Sequence, residues 1–172
     1  MRSIAEALAP WMLQAVARSP PTGWPMPSTG SSPGVLTWVP LGRRRKRERG
    51  YDQAEVLCRA LHRLTGWKLQ RLLRRVNETP PQAMRSARER RLALRGAFRS
   101  VAEPPSRVVL VDDVLTTGAT AAECAAELLR AGAEEVGVLT AARSLGGPLP
   151  AHCYTPAGLQ PGSVVAREMF SR

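Results

Sequence analysis

Cysteine, histidine, lysine and aromatic side chains are all scarce in this chain of 172 residues. Three cysteines, Cys58, Cys124 and Cys153, form no C-x-x-C pair, and an odd count argues against a disulfide framework. Cys58 and Cys124 fall in helical patterns, where a small buried thiol is the ordinary occupant. His152 beside Cys153 offers two ligand types without further partners, too few for a zinc centre. No stretch approaches 18 apolar residues, so no membrane span is expected. No apolar segment leads to a small-residue cleavage site near Met1, so there is no secretory pattern and the expected compartment is the cytoplasm. No glycine-rich loop ends in Gly-Lys-Ser/Thr, which sets aside a Walker A site.

What is abundant is arginine. Lys46 and Lys68 are the only lysines among 25 cationic residues, against 14 acids and a net charge of +11. With abundant Ala, Gly and Pro this looks like the codon bias of a GC-rich genome, which discounts arginine slightly as functional evidence. The charge is nevertheless lopsided. Residues 1–100 hold 20 Lys/Arg against 6 Asp/Glu, whereas residues 101–172 hold 5 against 8. The first half therefore has the character of a polyanion-binding surface, for a polyphosphate or a nucleic acid. The length suits one domain with tails, with enough chain for a core that needs no disulfides.

Val108 to Thr120, V-V-L-V-D-D-V-L-T-T-G-A-T, organises the rest. Val108 to Val111 read as a strand buried on both faces. Asp112 and Asp113 then fall at its carboxyl end, where open α/β sheets place ligand chemistry. Thr116 to Thr120 fall in the turn and at a helix N-terminus, where unpaired N–H groups and the helix dipole favour a phosphate. A helix over 119–131 presents Ala122, Ala125, Ala126, Leu129 and Ala133, with Gly132 as C-cap. Val136 to Ala142 follow as a second buried strand, completing a βαβ unit.

Upstream, residues 3–18 read as an amphipathic helix with Ile4, Leu8, Trp11, Met12 and Ala15 on one face and Pro10 as a break or kink. Residues 1–34 are thus a helix and a Pro/Gly/Ser-rich linker, 35–143 the main domain, and 144–172 a tail with an edge strand near Ser163 to Ala166. Val35 to Val39 are a short strand, ended by Pro40-Leu41-Gly42 and the basic run 43–53. Asp52 to Leu64 form a helix with Ala54, Leu57, Cys58, Leu61 and Leu64 on one face. Leu69 to Val76 read as a strand of ambiguous period. Residues 78–96 are proline- and arginine-rich, an exposed arm rather than a core element.

Taken together, these segments resemble the ComF family of the type I phosphoribosyltransferase superfamily. V-P-L-G-R-R-R-K-R-E-R-G-Y-D-Q-A, T-P-P-Q-A with R-E-R-R and G-A-F, and the strand, acid pair and T-T-G-A-T loop each match a family block. The resemblance covers about residues 35–143. Asp52 stands where the family commonly has Asn, as does Ala93, and the family's usual four-cysteine zinc module has no counterpart here.

The resemblance implies a mostly parallel, twisted sheet flanked by helices with a flexible arm, binding 5-phosphoribosyl-1-pyrophosphate (PRPP) with Mg²⁺. It implies that Asp112 and Asp113 act on the ribose hydroxyls and help hold the metal. Thr116, Thr117, Gly118, Ala119 and Thr120 would cradle the 5-phosphate. Leu41, Gly42 and Arg43 would form the pyrophosphate loop, with Arg47 and Arg49 as further donors, and the arm at 78–96 would close over the site. Leu115 stands where some purine-specific members carry an acid, which disfavours a 6-oxopurine acceptor. The family is associated with DNA uptake in competent bacteria, so single-stranded DNA and DNA-uptake or recombination proteins are expected partners. A pentosyltransferase using PRPP on an unnamed acceptor, or a PRPP-sensing regulator, are the alternatives.

Overall fold

The computed structural model describes residues 4–18, 34–77, 94–143 and 163–165. The expected linker at 19–33, most of the arm (78–93) and the tail apart from 163–165 lie outside the described residues. Among the described residues ten elements follow in order: α1 (Ile4–Arg18), β1 (Val35–Trp38), α2 (Arg43–Arg49), α3 (Gln53–Thr65), β2 (Leu73–Arg75), β3 (Phe98–Ser100), β4 (Arg107–Leu115), α4 (Ala119–Arg130), β5 (Glu135–Arg143) and β6 (Ser163–Val165).

The main sheet has the order β1-β4-β5-β6. β1, β4 and β5 run parallel, and β6 closes the far edge antiparallel to β5. Parallel strands need both faces covered, and the side chains divide accordingly. Val35, Val108, Leu110, Val136 and Val138 pack with α4, through Ala121, Cys124, Ala125 and Leu128. Leu36, Trp38, Val109, Val111 and Leu139 pack on the opposite face against Ala54, Leu57, Cys58 and Leu61 of α3 and Ala5, Ala9 and Met12 of α1. The period-2 alternation of the strands thus sorts one continuous apolar run into two cores. This is the mixed α/β architecture that the sequence indicates.

A second, antiparallel pair, β2 with β3, sits on the α4 side. Phe98 is wholly buried there, with the Arg75 guanidinium 5.5 Å from its ring centre. Two acids of α4 fasten this hairpin by its backbone. Glu123 accepts from Gly96 N–H at 2.8 Å and Glu127 from Ser100 N–H at 3.0 Å. Glu127 is buried yet paired, with Arg130 as its cation.

Several local expectations are corrected. The buried face of α1 is Ala5, Ala9 and Met12, while Ile4 and Trp11 are exposed. Small alanines let α1 approach α3 closely, a gain that a simple apolar count does not register. α1 continues through Pro10 as one helix, so no break occurs there. On α3 Leu64 is exposed, and Ala60 is buried in its stead. On α4 the buried residues are Ala119, Ala121, Cys124, Ala125, Glu127 and Leu128; of the face expected, Ala125 and Ala133 are buried, whereas Ala122, Ala126 and Leu129 are half-buried. Its C-cap is Ala131 rather than Gly132. Of Leu69 to Val76, only Leu73–Arg75 pair as a strand, and Leu69 makes an isolated parallel bridge to Leu36. The basic run 43–49 is helical, not a loop.

Gly34 admits β1 to the sheet. It takes φ +146°, and a Cβ there would stand 2.5 Å from the Arg107 carbonyl oxygen. Gly34→Ala should therefore destabilise the fold by at least about 2 kcal/mol, read as a lower urea midpoint. An unchanged midpoint would show that β1 can shift without cost.

Candidate functional site

The site forms where β1 ends beside the carboxyl half of β4. Their register pairs Val35 with Val108 through to Trp38 with Val111, and Val39 N–H continues the ladder to the Val111 carbonyl at 2.9 Å. The next residues on β1's side are Pro40, Leu41 and Gly42, and the next on β4's side are Asp112 and Asp113. β4 itself runs on to Leu115, so both acids lie within its last residues rather than beyond it. The turn Thr116–Gly118 then leads into α4. Two loops and an acid pair thus meet at the carboxyl edge of neighbouring parallel strands, the usual ligand position in such sheets.

Gly118 makes the turn from β4 into α4. Its φ of 72° and ψ of −2° are left-handed, a conformation that glycine adopts without strain. Ala119 then starts α4, and Ala122 N–H reaches the Gly118 carbonyl at 2.8 Å. The first N–H groups of a helix have no partner inside it. No side chain caps this end from Gly118 itself, and the Thr117 hydroxyl only approaches Ala119 N–H at 3.4 Å. Thr116 is exposed, Thr117 and Thr120 are half-buried, and Gly118 and Ala119 are buried. The arrangement presents hydroxyls and N–H groups to an anion.

The other loop is held by a residue whose role the sequence pattern alone did not reveal. Asp52 is only 5 % exposed. One carboxylate oxygen accepts from Leu41 N–H at 2.8 Å, and the other accepts from Glu55 N–H at 3.4 Å as the N-cap of α3. Asp52 therefore ties loop 40–42 to α3. The D-x-x-E spacing of Asp52 and Glu55 resembles a capping box and was the available signal. Burial raises the Asp52 pKa above the usual carboxyl value, against the two backbone donors that lower it.

Asp112 is almost closed off from water. Its Oδ1 accepts from Asp113 N–H at 2.9 Å, and Asp113 Oδ1 accepts from Val114 N–H at 2.7 Å. Burial pushes the Asp112 pKa up to about 7, with the charge of Asp113 acting the same way and that of Asp52 adding to it. Among the described residues no group of three acids, histidines or cysteines could hold a metal. Two adjacent carboxylates do fit Mg²⁺ that arrives with phosphate oxygens and waters as its other ligands. Asp112 and Asp113 are the residues that would hold it.

α2 buries none of its side chains. Arg43 and Arg47 stand four residues apart and share one helical face. Arg49 lies off that face and donates to the Gln53 side-chain oxygen at 2.8 Å, so it does not join them. Among the described residues Arg43, Arg45 and Arg47 make no ion pair, whereas Arg44 pairs with Glu48 and Lys46 with Glu55. Leu115 is buried in the α4-side core rather than facing the site. Thr140 was also missed. It stands opposite Asp112 in the ladder, is wholly buried, and its hydroxyl has no hydrogen-bond partner among the described residues. A lone hydroxyl in the apolar run V-G-V-L-T-A-A was the available signal.

No family model matches the chain. It is 40 % identical to DNA utilization protein YhgH of Salmonella typhi over 146 residues, 83 % of this chain and 61 % of that protein. It is 41 % identical to the protein of the same name from Escherichia coli O157:H7 over 116 residues, 66 % of this chain and 51 % of that one. It is 39 % identical to Competence protein F of Haemophilus influenzae over 117 residues, 65 % of this chain and 51 % of that one. The chain thus spans between about half and three-fifths of these relatives. Among solved structures, an allosteric regulatory enzyme of purine biosynthesis superposes with a TM-score of 0.48 at 19 % identity, over 81 % of this chain and 26 % of that one. The protein TT1426 from Thermus thermophilus superposes with a TM-score of 0.45 at 14 % identity, over 84 % of this chain and 85 % of that one.

The ionisation of Asp112 gives a pH test. With a folded-state pKa of about 7 against 3.8, the folded protein holds more protons than the unfolded chain between those values. The stability contributed by this group is fully present below about pH 4 and is lost as pH rises through 7. In EDTA, Asp112→Asn should gain urea resistance relative to wild type between pH 5 and pH 8. Parallel pH profiles for the two proteins would contradict the assignment.

Proposed function

This chain is a homologue of the proteins named Competence protein F and DNA utilization protein YhgH, and on that premise we propose that it is a phosphoribosyltransferase-domain protein that binds PRPP with Mg²⁺ and serves DNA uptake. The observation that carries the reading is the β1–β4 register, which brings loop 40–42 and Arg43 at the start of α2 to the same edge as Asp112 and Asp113, with the Thr116–Gly118 turn into α4 following β4. PRPP has three matching parts: a pyrophosphate, a ribose with two free hydroxyls, and a 5-phosphate. Few small metabolites need an anion site at both ends of an acid pair.

In this reading the 5-phosphate rests on the N–H groups of Gly118 to Thr120 and the hydroxyls of Thr116, Thr117 and Thr120. Asp112 and Asp113 accept from the ribose hydroxyls and orient the ring. The pyrophosphate lies against Leu41 and Gly42, with Arg43 and Arg47 as charge-assisted donors. Mg²⁺, when bound, supplies positive charge against the pyrophosphate. Should the bond from C1 to pyrophosphate break, the protein's part is positioning and electrostatic stabilisation of the leaving group.

The competence role draws on the names of the relatives and on the charge of α2. Six of its seven residues are cationic, all are exposed, and four of the cations make no ion pair among the described residues. A phosphodiester backbone offsets the mutual repulsion of such a helix. Single-stranded DNA is the expected partner, with DNA-uptake or recombination proteins beyond it.

Asp112→Asn combined with Asp113→Asn should abolish Mg²⁺-dependent PRPP binding measured by calorimetry, and unchanged affinity would contradict the PRPP site. Single-stranded DNA binding should weaken steeply with salt and on replacing Arg43, Arg44 and Arg45 by Ala. A flat salt response would set the nucleic-acid reading aside.

A further inference from the structure

Thr140 lies on β5 between two apolar layers. Val136 and Val138, which share its parity along the strand, belong to the α4-side core, whereas Leu139 belongs to the core beneath α1 and α3. The Thr140 side chain therefore points to the α4 side. Its partner across the parallel ladder is Asp112. Asp112 has the parity of Val108 and Leu110, which also face α4. Hydroxyl and carboxylate thus stand on one face of adjacent strands, whose backbones lie about 4.8 Å apart in the hydrogen-bonding direction. Both lie near the turn that opens α4.

A buried hydroxyl without a partner is unusual in a folded protein, because it has given up its water for nothing in return. Valine has nearly the same shape and would fill the space without that cost. Asp112 Oδ1 accepts from the Asp113 N–H, and the Thr140 hydroxyl on the same side of the sheet has no hydrogen-bond partner among the described residues.

We propose that Thr140 is a positioning residue of the Asp112 site, its hydroxyl donating to the Asp112 carboxylate when a phosphorylated sugar and its divalent cation engage that acid. The inference rests on the PRPP reading given above. Thr140 does not touch the ligand. It fixes the rotamer from which Asp112 meets the ribose hydroxyls, so that the acid is held on two sides rather than one.

The test compares wild type with Thr140→Val and Thr140→Ser, using thermal melting without ligand and calorimetry with PRPP and Mg²⁺. Thr140→Val should melt at or above the wild-type temperature, since it removes an unsatisfied hydroxyl, and should bind about tenfold more weakly through the loss of one charge-assisted hydrogen bond. Thr140→Ser should recover most of the affinity. Wild-type affinity in Thr140→Val would overturn the proposal while leaving the PRPP site standing. Weak binding by both variants would also overturn it, because the loss would then follow shape rather than the hydroxyl. Failure of the wild-type protein to bind PRPP would remove the PRPP reading and this inference with it.

Discussion

The parallel pairing of β1 with β4 is the constraint on which the rest of the structure depends. It runs without interruption from Val35–Val108 to Val39 and the Val111 carbonyl. Because the strands are parallel, their carboxyl ends point to the same edge, and the segments leaving them are brought there together. β1 gives way to a short loop leading into a cationic helix. The apolar half of β4 gives way to an acid pair and a left-handed glycine turn. Gly34 allows the approach, since any side chain there would meet the Arg107 carbonyl. The burial of Leu36, Val109 and Val111 against α3 and α1, and of Val108 and Leu110 against α4, then holds the pairing on both faces.

Acids set the rest of the geometry. Asp52 binds the first loop to the start of α3. Glu123 and Glu127 bind the β2–β3 hairpin to α4, the helix whose first turn follows Gly118. Each accepts from a backbone N–H and so satisfies a group that would otherwise be costly to bury. The consequence at Asp112 is electrostatic. Burial together with the neighbouring charges of Asp113 and Asp52 keeps its carboxyl protonated up to about neutrality.

The main strands and helices were legible in the sequence because their apolar runs were long and bounded by clear stops. Val108–Val111, Val136–Ala142 and the helix from Asp52 all stand within a few residues of where the pattern put them. The helical faces were less legible. Small alanines can be buried where helices approach closely, so Ala5 and Ala9 displaced Ile4 and Trp11 from the core. The helicity of 43–49 was hidden because like charges argue against a helix and no side chain of α2 is buried to mark a face. The acid pair and the T-T-G-A-T turn were readable as a unit because the order strand, acids, small loop, helix has a physical meaning. Asp52 and Thr140 were not, because their significance comes from partners 11 and 28 positions away in the chain (Leu41 and Asp112), which only folding supplies.

The most direct test of a two-loop PRPP site is amide hydrogen exchange with and without PRPP and Mg²⁺. Exchange should slow together at residues 41–43 and at 116–120, segments more than 70 residues apart in sequence that β1 and β4 bring to one edge. Protection confined to one of the two segments, or to neither, would contradict the account.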